Sequence, residues 1–191
     1  MSGLNDRNYI IIYQKMDYII FSTAGFISLL LSDILQISKK RILIIPLSII
    51  GYLSIILITI LLTIEYSFHS VSPPVLTVKI IFAALSFIGL VYVLFVEIHL
   101  ASQFAAAGSR EVYSGGSYGI VRHPGFYFFA LLFAALNTIV LNREYLLISL
   151  YLIVLDFLLI LIEDIIIFPR IFSNYKNYKK KVPFLIPGMK R

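Results

Sequence analysis

Five apolar runs, at about 18–37, 42–64, 77–100, 125–141 and 145–168, leave this chain little room for anything but membrane helices. Crossing roughly 30 Å of hydrocarbon takes about 20 helical residues, and every run but the fourth approaches or exceeds that length. Lipid offers the backbone no hydrogen-bond partners, so each crossing must satisfy its own N–H and C=O groups, as a helix does. Of the 191 residues 60% are apolar and 14% charged, and the mean hydropathy is +0.94. A water-facing surface cannot be built from such a composition. The expectation is an all-α integral membrane protein with five transmembrane helices and a polar tail. Only Asn142-Arg143-Glu144 separates the last two runs, which predicts a helical hairpin with a tight turn. No hydrophilic block is long enough for a second folded domain, so 1–191 reads as one membrane domain, a three-helix part at about 1–110 and a second part at about 111–191. The first run is flanked by mixed charge and lacks a small-x-small cleavage site, so it is read as a retained helix rather than a signal peptide.

Five crossings put the two termini on opposite sides. Lys39-Lys40-Arg41, the loop carrying Arg110 and Arg122, and the tail with Lys176, Lys179, Lys180 and Lys181 then share one side. The N-terminus, the loop from Glu65 to Pro74 and the Asn142 turn share the other. The positive-inside rule makes the basic side cytoplasmic and leaves the N-terminus outside. Much of the net charge of +6 lies beside the spans, so anionic lipid headgroups are the expected partner and nucleic acid is not. The absence of cysteine removes disulfides, thiolate metal sites and cysteine nucleophiles. His69, His99 and His123 would fall on both sides of the membrane, so no metal centre is expected. Gly115-Gly116 does not sit between a strand and a helix, which argues against a Rossmann-type cofactor site.

The chemistry concentrates in Gly116-Ser117-Tyr118-Gly119-Ile120-Val121-Arg122-His123-Pro124, a polar segment between apolar runs, answered by Tyr175, Tyr178, Val182, Pro183 and Pro187. Arg122 is suited to a bidentate grip on a carboxylate, and His123 adds a titratable imidazole. Glu163 follows Asp156 by two helical turns, so the two share a helix face. Acidic residues on a membrane helix are costly and point to function or an internal partner. Plainer readings stand beside these. Arg122 snorkels to lipid phosphate, His123 is a turn residue before proline, Glu163 and Asp164 are boundary charges, and Tyr175 and Tyr178 anchor the tail at the headgroups. The lysines from Lys179 to Lys181 read as topology and lipid attraction. Asp33, Glu97 and His99 read as structural, and the small residues from Ala101 to Gly108 as a site of close helix approach.

The order Gly-x-Tyr-x-x-Val-Arg-His-Pro, membrane hairpin, acidic residues, then Tyr-x-x-Tyr-x-x-x-Val-Pro-x-x-x-Pro resembles the isoprenylcysteine carboxyl methyltransferase and phospholipid methyltransferase group over about the last 80 residues. The matching positions are Gly116, Tyr118, Arg122, His123, Pro124, Glu163, Tyr175, Tyr178, Val182, Pro183 and Pro187. The chain departs from the group's pattern at Phe126, Phe128, Ser173 and Asp164. The resemblance implies a membrane methyltransferase that holds S-adenosylmethionine in a cytoplasm-facing pocket while a lipophilic acceptor enters from the bilayer. It implies catalytic roles for Arg122 and Glu163, and cofactor contacts from Gly116, Tyr118, His123, Pro124, Glu163, Tyr175 and Tyr178. The acceptor stays open between a prenylcysteine-like carboxylate, a lipid headgroup amine and another hydrophobe, as does the oligomeric state. The alternatives are a non-catalytic carrier or scaffold with a degenerate pocket, and a lipid-modifying reductase that would bind a nicotinamide instead.

Overall fold

The computed structural model describes residues 3–38, 41–66, 73–97 and 111–188. Among these every regular element is helical and there is no strand. The first three apolar runs lie in α1 (Gly3–Ile37), α2 (Arg41–Tyr66) and α3 (Pro73–Val91), and α3 continues as a π-helical turn, Tyr92–Glu97. The fourth and fifth are α4 (Pro124–Val140) and α5 (Arg143–Ile162). A π-helical segment, Glu163–Ile167, carries α5 without interruption into α6 (Phe168–Ile171), and α7 (Tyr175–Lys181) follows. Four stretches, Met16–Ile37, Ile42–Tyr66, Pro74–Phe95 and Arg143–Ile171, are long and apolar enough to cross a membrane. The apolar helix α4 is shorter, with 17 residues, or about 25 Å of rise. Lys39, Lys40, His69, the end of the third run, His99, Arg110 and the stretch from Ala101 to Gly108 lie outside the described residues, as does the side chain of Glu97.

The turn between the last two long helices is built from two residues. Leu141 takes the left-handed conformation at φ 50° and closes α4 through its N–H to the Asn137 carbonyl at 3.0 Å. The Asn142 side chain then accepts from the Glu144 and Tyr145 N–H groups at 2.8 and 3.1 Å, capping α5. At the other end of α4, Pro124 occupies the first turn, where its missing N–H costs nothing.

Helices α1 and α2 lie face to face. A Cβ on Gly51 would come within 2.9 Å of the Gly25 carbonyl and 2.5 Å of Leu29, so the missing side chain lets the two backbones approach. Hydroxyls stitch the same seam: Ser28 donates to the Leu47 carbonyl at 2.9 Å, and Ser32 meets Ser48 at 2.6 Å. Helix α3 packs on α4, where Phe128 fills the space left open at Gly89; a Cβ there would sit 2.3 Å from the ring. The Lys79 ammonium donates to the Thr138 carbonyl on the same pair. The central core is Phe26, Leu29, Ile55, Leu62, Phe129, Phe133, Tyr145 and Leu152. Outward positions such as Ile42, Val78 and Phe95 are exposed and apolar, a surface that suits lipid.

Contacts give the helix directions. Tyr18 reaches Glu65 and Ser32 reaches Ser48, so α1 and α2 are antiparallel. Thr23 meets Tyr151 at 2.6 Å, while Asp33, ten residues on, meets Glu163, twelve residues on. Helices α1 and α5 therefore run parallel.

Candidate functional site

The loop ahead of α4 is held by the tail that follows α6. Its 3-10 turn, Gly116–Gly119, starts at Gly116 with φ 56°, a left-handed conformation that a side chain would strain. Ser117 then accepts from the Ile120 and Val121 N–H groups at 3.0 and 3.2 Å, which turns the chain toward Arg122. Four hydrogen bonds dock the tail. Val112 N–H donates to the Asn174 side chain at 2.8 Å, Arg122 N–H to the Pro183 carbonyl at 3.0 Å, Tyr178 hydroxyl to the Tyr118 carbonyl at 2.7 Å, and Tyr127 hydroxyl to the Leu185 carbonyl. Beneath them Tyr175, Tyr178 and Val182 are buried against Val112, Phe168 and Phe172.

Asp164 is the hub of this assembly. Its Oδ1 accepts from Arg122 Nη1 at 2.5 Å and from the Tyr175 hydroxyl at 2.6 Å, and its Oδ2 lies 2.8 Å from Lys179 Nζ. The π-helical segment that carries it widens the turn, a distortion common at functional sites. Glu163, the preceding residue, faces the other way: its Oε2 is 3.5 Å from His123 Nδ1, and its carboxyl is within hydrogen-bonding reach of Asp33 on α1. Asp156 and the α2 residue Tyr52 feel the same charge.

The His123 ring stacks on Phe168 at 5.8 Å and meets the edge of Phe184 at 5.2 Å, while the Arg122 guanidinium lies over Phe184 at 5.3 Å. Burial pulls the His123 imidazole below its ordinary value; the Arg122 and Lys179 charges act in the same direction and Asp164 opposes them. Burial, reinforced by the bond to Asp164, pushes the Tyr175 phenol upward and keeps it a donor. Two nitrogens are left over. Arg122 Nε and His123 Nε2 are the buried side-chain polar atoms without a hydrogen-bond partner among the described residues. His123 Nε2 is 3.8 Å from Asp164, too far to bond.

Arg122, His123, Glu163, Tyr175 and Tyr178 are thus brought to one place, with Tyr118 joining through its carbonyl and Pro124 orienting the pair as the first residue of α4. Gly116 is exposed on the rim. His123 occupies the position before the helix, yet its side chain makes no capping bond. Tyr175 and Tyr178 lie packed inside the tail with their hydroxyls engaged, so their faces meet protein rings. Phe128 turns to Gly89 on α3.

Three participants escape a reading by motif. Asp164 reads as a boundary charge, Lys179 as a topology signal and Asp33 as structural; each reaches the cluster from a different segment. An acidic residue inside an apolar run was the available signal for Asp33.

Fold and site together define an all-helical membrane protein with a buried, charged cluster where its loop and tail meet. No family model, curated protein or solved structure matches the chain.

The residues nonetheless suit the group that the loop and tail motifs imply. S-adenosylmethionine carries a carboxylate, for which Arg122 Nε and His123 Nε2 are free donors, and an ammonium and ribose hydroxyls, for which the Glu163 carboxylate is an acceptor.

Proposed function

We propose that the chain is a five-pass membrane methyltransferase that uses S-adenosylmethionine and acts on a lipophilic acceptor at the cytoplasmic face, with its N-terminus outside. The observation that carries the reading is the pair of buried, unpartnered nitrogens on adjacent residues, Arg122 Nε and His123 Nε2, the imidazole facing Glu163 through its other nitrogen. An unsatisfied buried donor costs about 1–3 kcal/mol, and two together are best explained by a ligand that pairs them. The group supplies a methyl carbon on a sulfonium, open to direct displacement.

The protein's own work is binding, orientation and exclusion of water. Arg122 Nη1 is tied to Asp164, which fixes the guanidinium plane and aims Nε at a carboxylate. His123, clamped between Phe168 and Phe184, offers Nε2 to the same group. Glu163 accepts from an ammonium or a hydroxyl. Gly116, Tyr118 and Pro124 shape the loop, and Tyr175 and Tyr178 hold the tail over it. The aromatic rings keep the site poorly hydrated, which strengthens each charged contact. Alignment of nucleophile, methyl and sulfur then accounts for most of the rate. A carboxylate acceptor needs only orientation, whereas an amine needs a proton acceptor, for which Glu163 is placed.

The test is calorimetric binding of S-adenosylmethionine and S-adenosylhomocysteine to the purified protein, with Arg122→Lys and Glu163→Gln alongside. Lysine keeps a cation for Asp164 and removes Nε, so it separates ligand binding from folding. Binding weakened at least tenfold by each change supports the reading. A folded protein that binds neither ligand, in detergent and in lipid, overturns it. That result favours a scaffold, for which the fully engaged Asp164 is the supporting observation.

A further inference from the structure

The tail that closes over the loop has a second face. With about 3.6 residues per turn, the sequence from Tyr175 to Val182 places Tyr175, Tyr178, Lys179 and Val182 on one side and Lys176, Asn177, Lys180 and Lys181 on the other. The structure keeps that division. Tyr175, Tyr178 and Val182 are buried, and Lys179 turns inward to Asp164 Oδ2 at 2.8 Å. Lys176, Asn177, Lys180 and Lys181 are exposed, and Arg170 on α6 adds a further exposed cation. Among the described residues of loop and tail the exposed acid is Glu111, because Asp164 is buried and Glu163 faces His123.

Apolar side chains border these cations. Ile120 of the loop and Ile186 of the tail are exposed within polar segments, and Ile165 and Ile166 carry the exposed apolar surface of the preceding helix up to Arg170. Cations beside isolated isoleucines suit the boundary between anionic headgroups and acyl chains. A nucleic acid or an acidic peptide would match the charge and leave the isoleucines without a partner.

We infer that Arg170 and the outward face of α7 bind an anionic lipid leaflet, and that this binding holds the tail closed on the loop. The inference goes beyond methyl transfer and does not rest on it, since it needs no ligand at Arg122. The direction follows from the docked geometry. With Lys179 engaged by Asp164 and the tyrosines packed, the outward cations are already held in place for a leaflet. A tail lifted from the loop would have to order the same side chains on its own, at a cost in conformational freedom. Lipid therefore favours the docked state, and a partner that prefers one state raises its population.

The chain has no cysteine, so Val182→Cys gives a single thiol that is covered only while the tail packs against Val112, Phe168 and Phe172. The experiment follows its labelling by an uncharged, water-soluble maleimide in the full-length protein. The protein is held in lipid discs of phosphatidylcholine, alone or mixed with phosphatidylglycerol. Labelling is expected to be about tenfold slower in the mixed discs, and high salt should remove the difference. Lys176→Gln, Lys180→Gln and Lys181→Gln combined should remove it too. Lys179→Gln should speed labelling in both discs and keep their ratio. Hydrogen exchange of the Arg122 amide, bonded to the Pro183 carbonyl, reads the same docking in the native sequence and serves if the cysteine variant does not fold.

Equal rates in the two discs overturn the inference and leave the methyltransferase reading intact. Faster labelling in the mixed discs overturns it as well, because lipid would then draw the tail off the loop. A slowing that survives high salt or the triple glutamine change places the effect outside the outward face and is equally fatal. The same holds for a ratio that Lys179→Gln abolishes and the triple change preserves.

Discussion

The two ends of the helix bundle use similar residues for different ends. Away from the tail, Tyr18 donates to Glu65, the Tyr145 hydroxyl meets Thr63 at 3.1 Å, and Tyr66 and Tyr145 touch edge to face at 6.3 Å. About 22 Å further along α1, Asp164 takes a guanidinium, a phenol and an ammonium at once, Asp33 meets Glu163, and two donors are left over. At the first end donors and acceptors are matched between helices, so polarity acts as a seam. At the second they are mismatched in number, and a structure that tolerates buried, unmatched donors is prepared for something else to meet them.

The largest expected effect separates the ends directly. Asp164→Ala leaves Arg122 buried and unpaired, and breaking a buried ion pair costs about 3–5 kcal/mol. It should lower the thermal midpoint in detergent and expose the tail to protease, whereas Glu65→Gln keeps an acceptor for Tyr18 and should cost about 1 kcal/mol or less. Equal losses at both ends would abolish the distinction. Next comes Gly51→Ala, which forces a methyl against Leu29 and the Gly25 carbonyl. It should destabilise by about 1–3 kcal/mol and leave the affinity for S-adenosylmethionine within twofold.

Tyr145→Phe and Tyr175→Phe make a finer pair, each removing one hydroxyl from a buried ring. Each should cost about 1 kcal/mol. Only Tyr175→Phe, which frees a lobe of Asp164, should alter binding of S-adenosylmethionine.

The smallest effect is one of acidity. Folding holds His123 below its ordinary value, so the unfolded chain binds more protons between the two values, and stability rises with pH there. Melting temperature should fall as pH drops through about 6.5, the unfolded value. His123→Gln should remove that part of the slope; an unchanged slope would place the titrating group elsewhere.

The helices were legible because lipid imposes a length, and each apolar run reappears as a helix whose ends move by only a few residues within the described parts. The exception in extent is α1, which begins at Gly3, far ahead of its apolar run, because the polar residues before Tyr18 also form helix. The loop and tail were legible as residue types, and their expected proximity is realised by the Arg122–Pro183 and Tyr178–Tyr118 bonds. What escaped was partnership. Asp33 and Glu163 are 130 positions apart, and no local period links them. Asp164 and Glu163 are neighbours whose opposite assignments depend on a widened helical turn that side-chain periodicity does not reveal. Phe128 stands out in the sequence only as a departure from the group's pattern; its place is explained by a glycine on another helix.

The docking of the tail also orders events in time. Arg122 is followed by 52 residues before Tyr175, about 3–10 s of synthesis at ~5–20 residues per second. During that interval α4 and the continuous helix from α5 into α6 are made while Arg122 still lacks Asp164 and then the tail that covers both. A nascent chain therefore waits with its loop uncovered, and ribosome-bound chains arrested before Tyr175 should be cut by protease near Arg122 where completed chains are not.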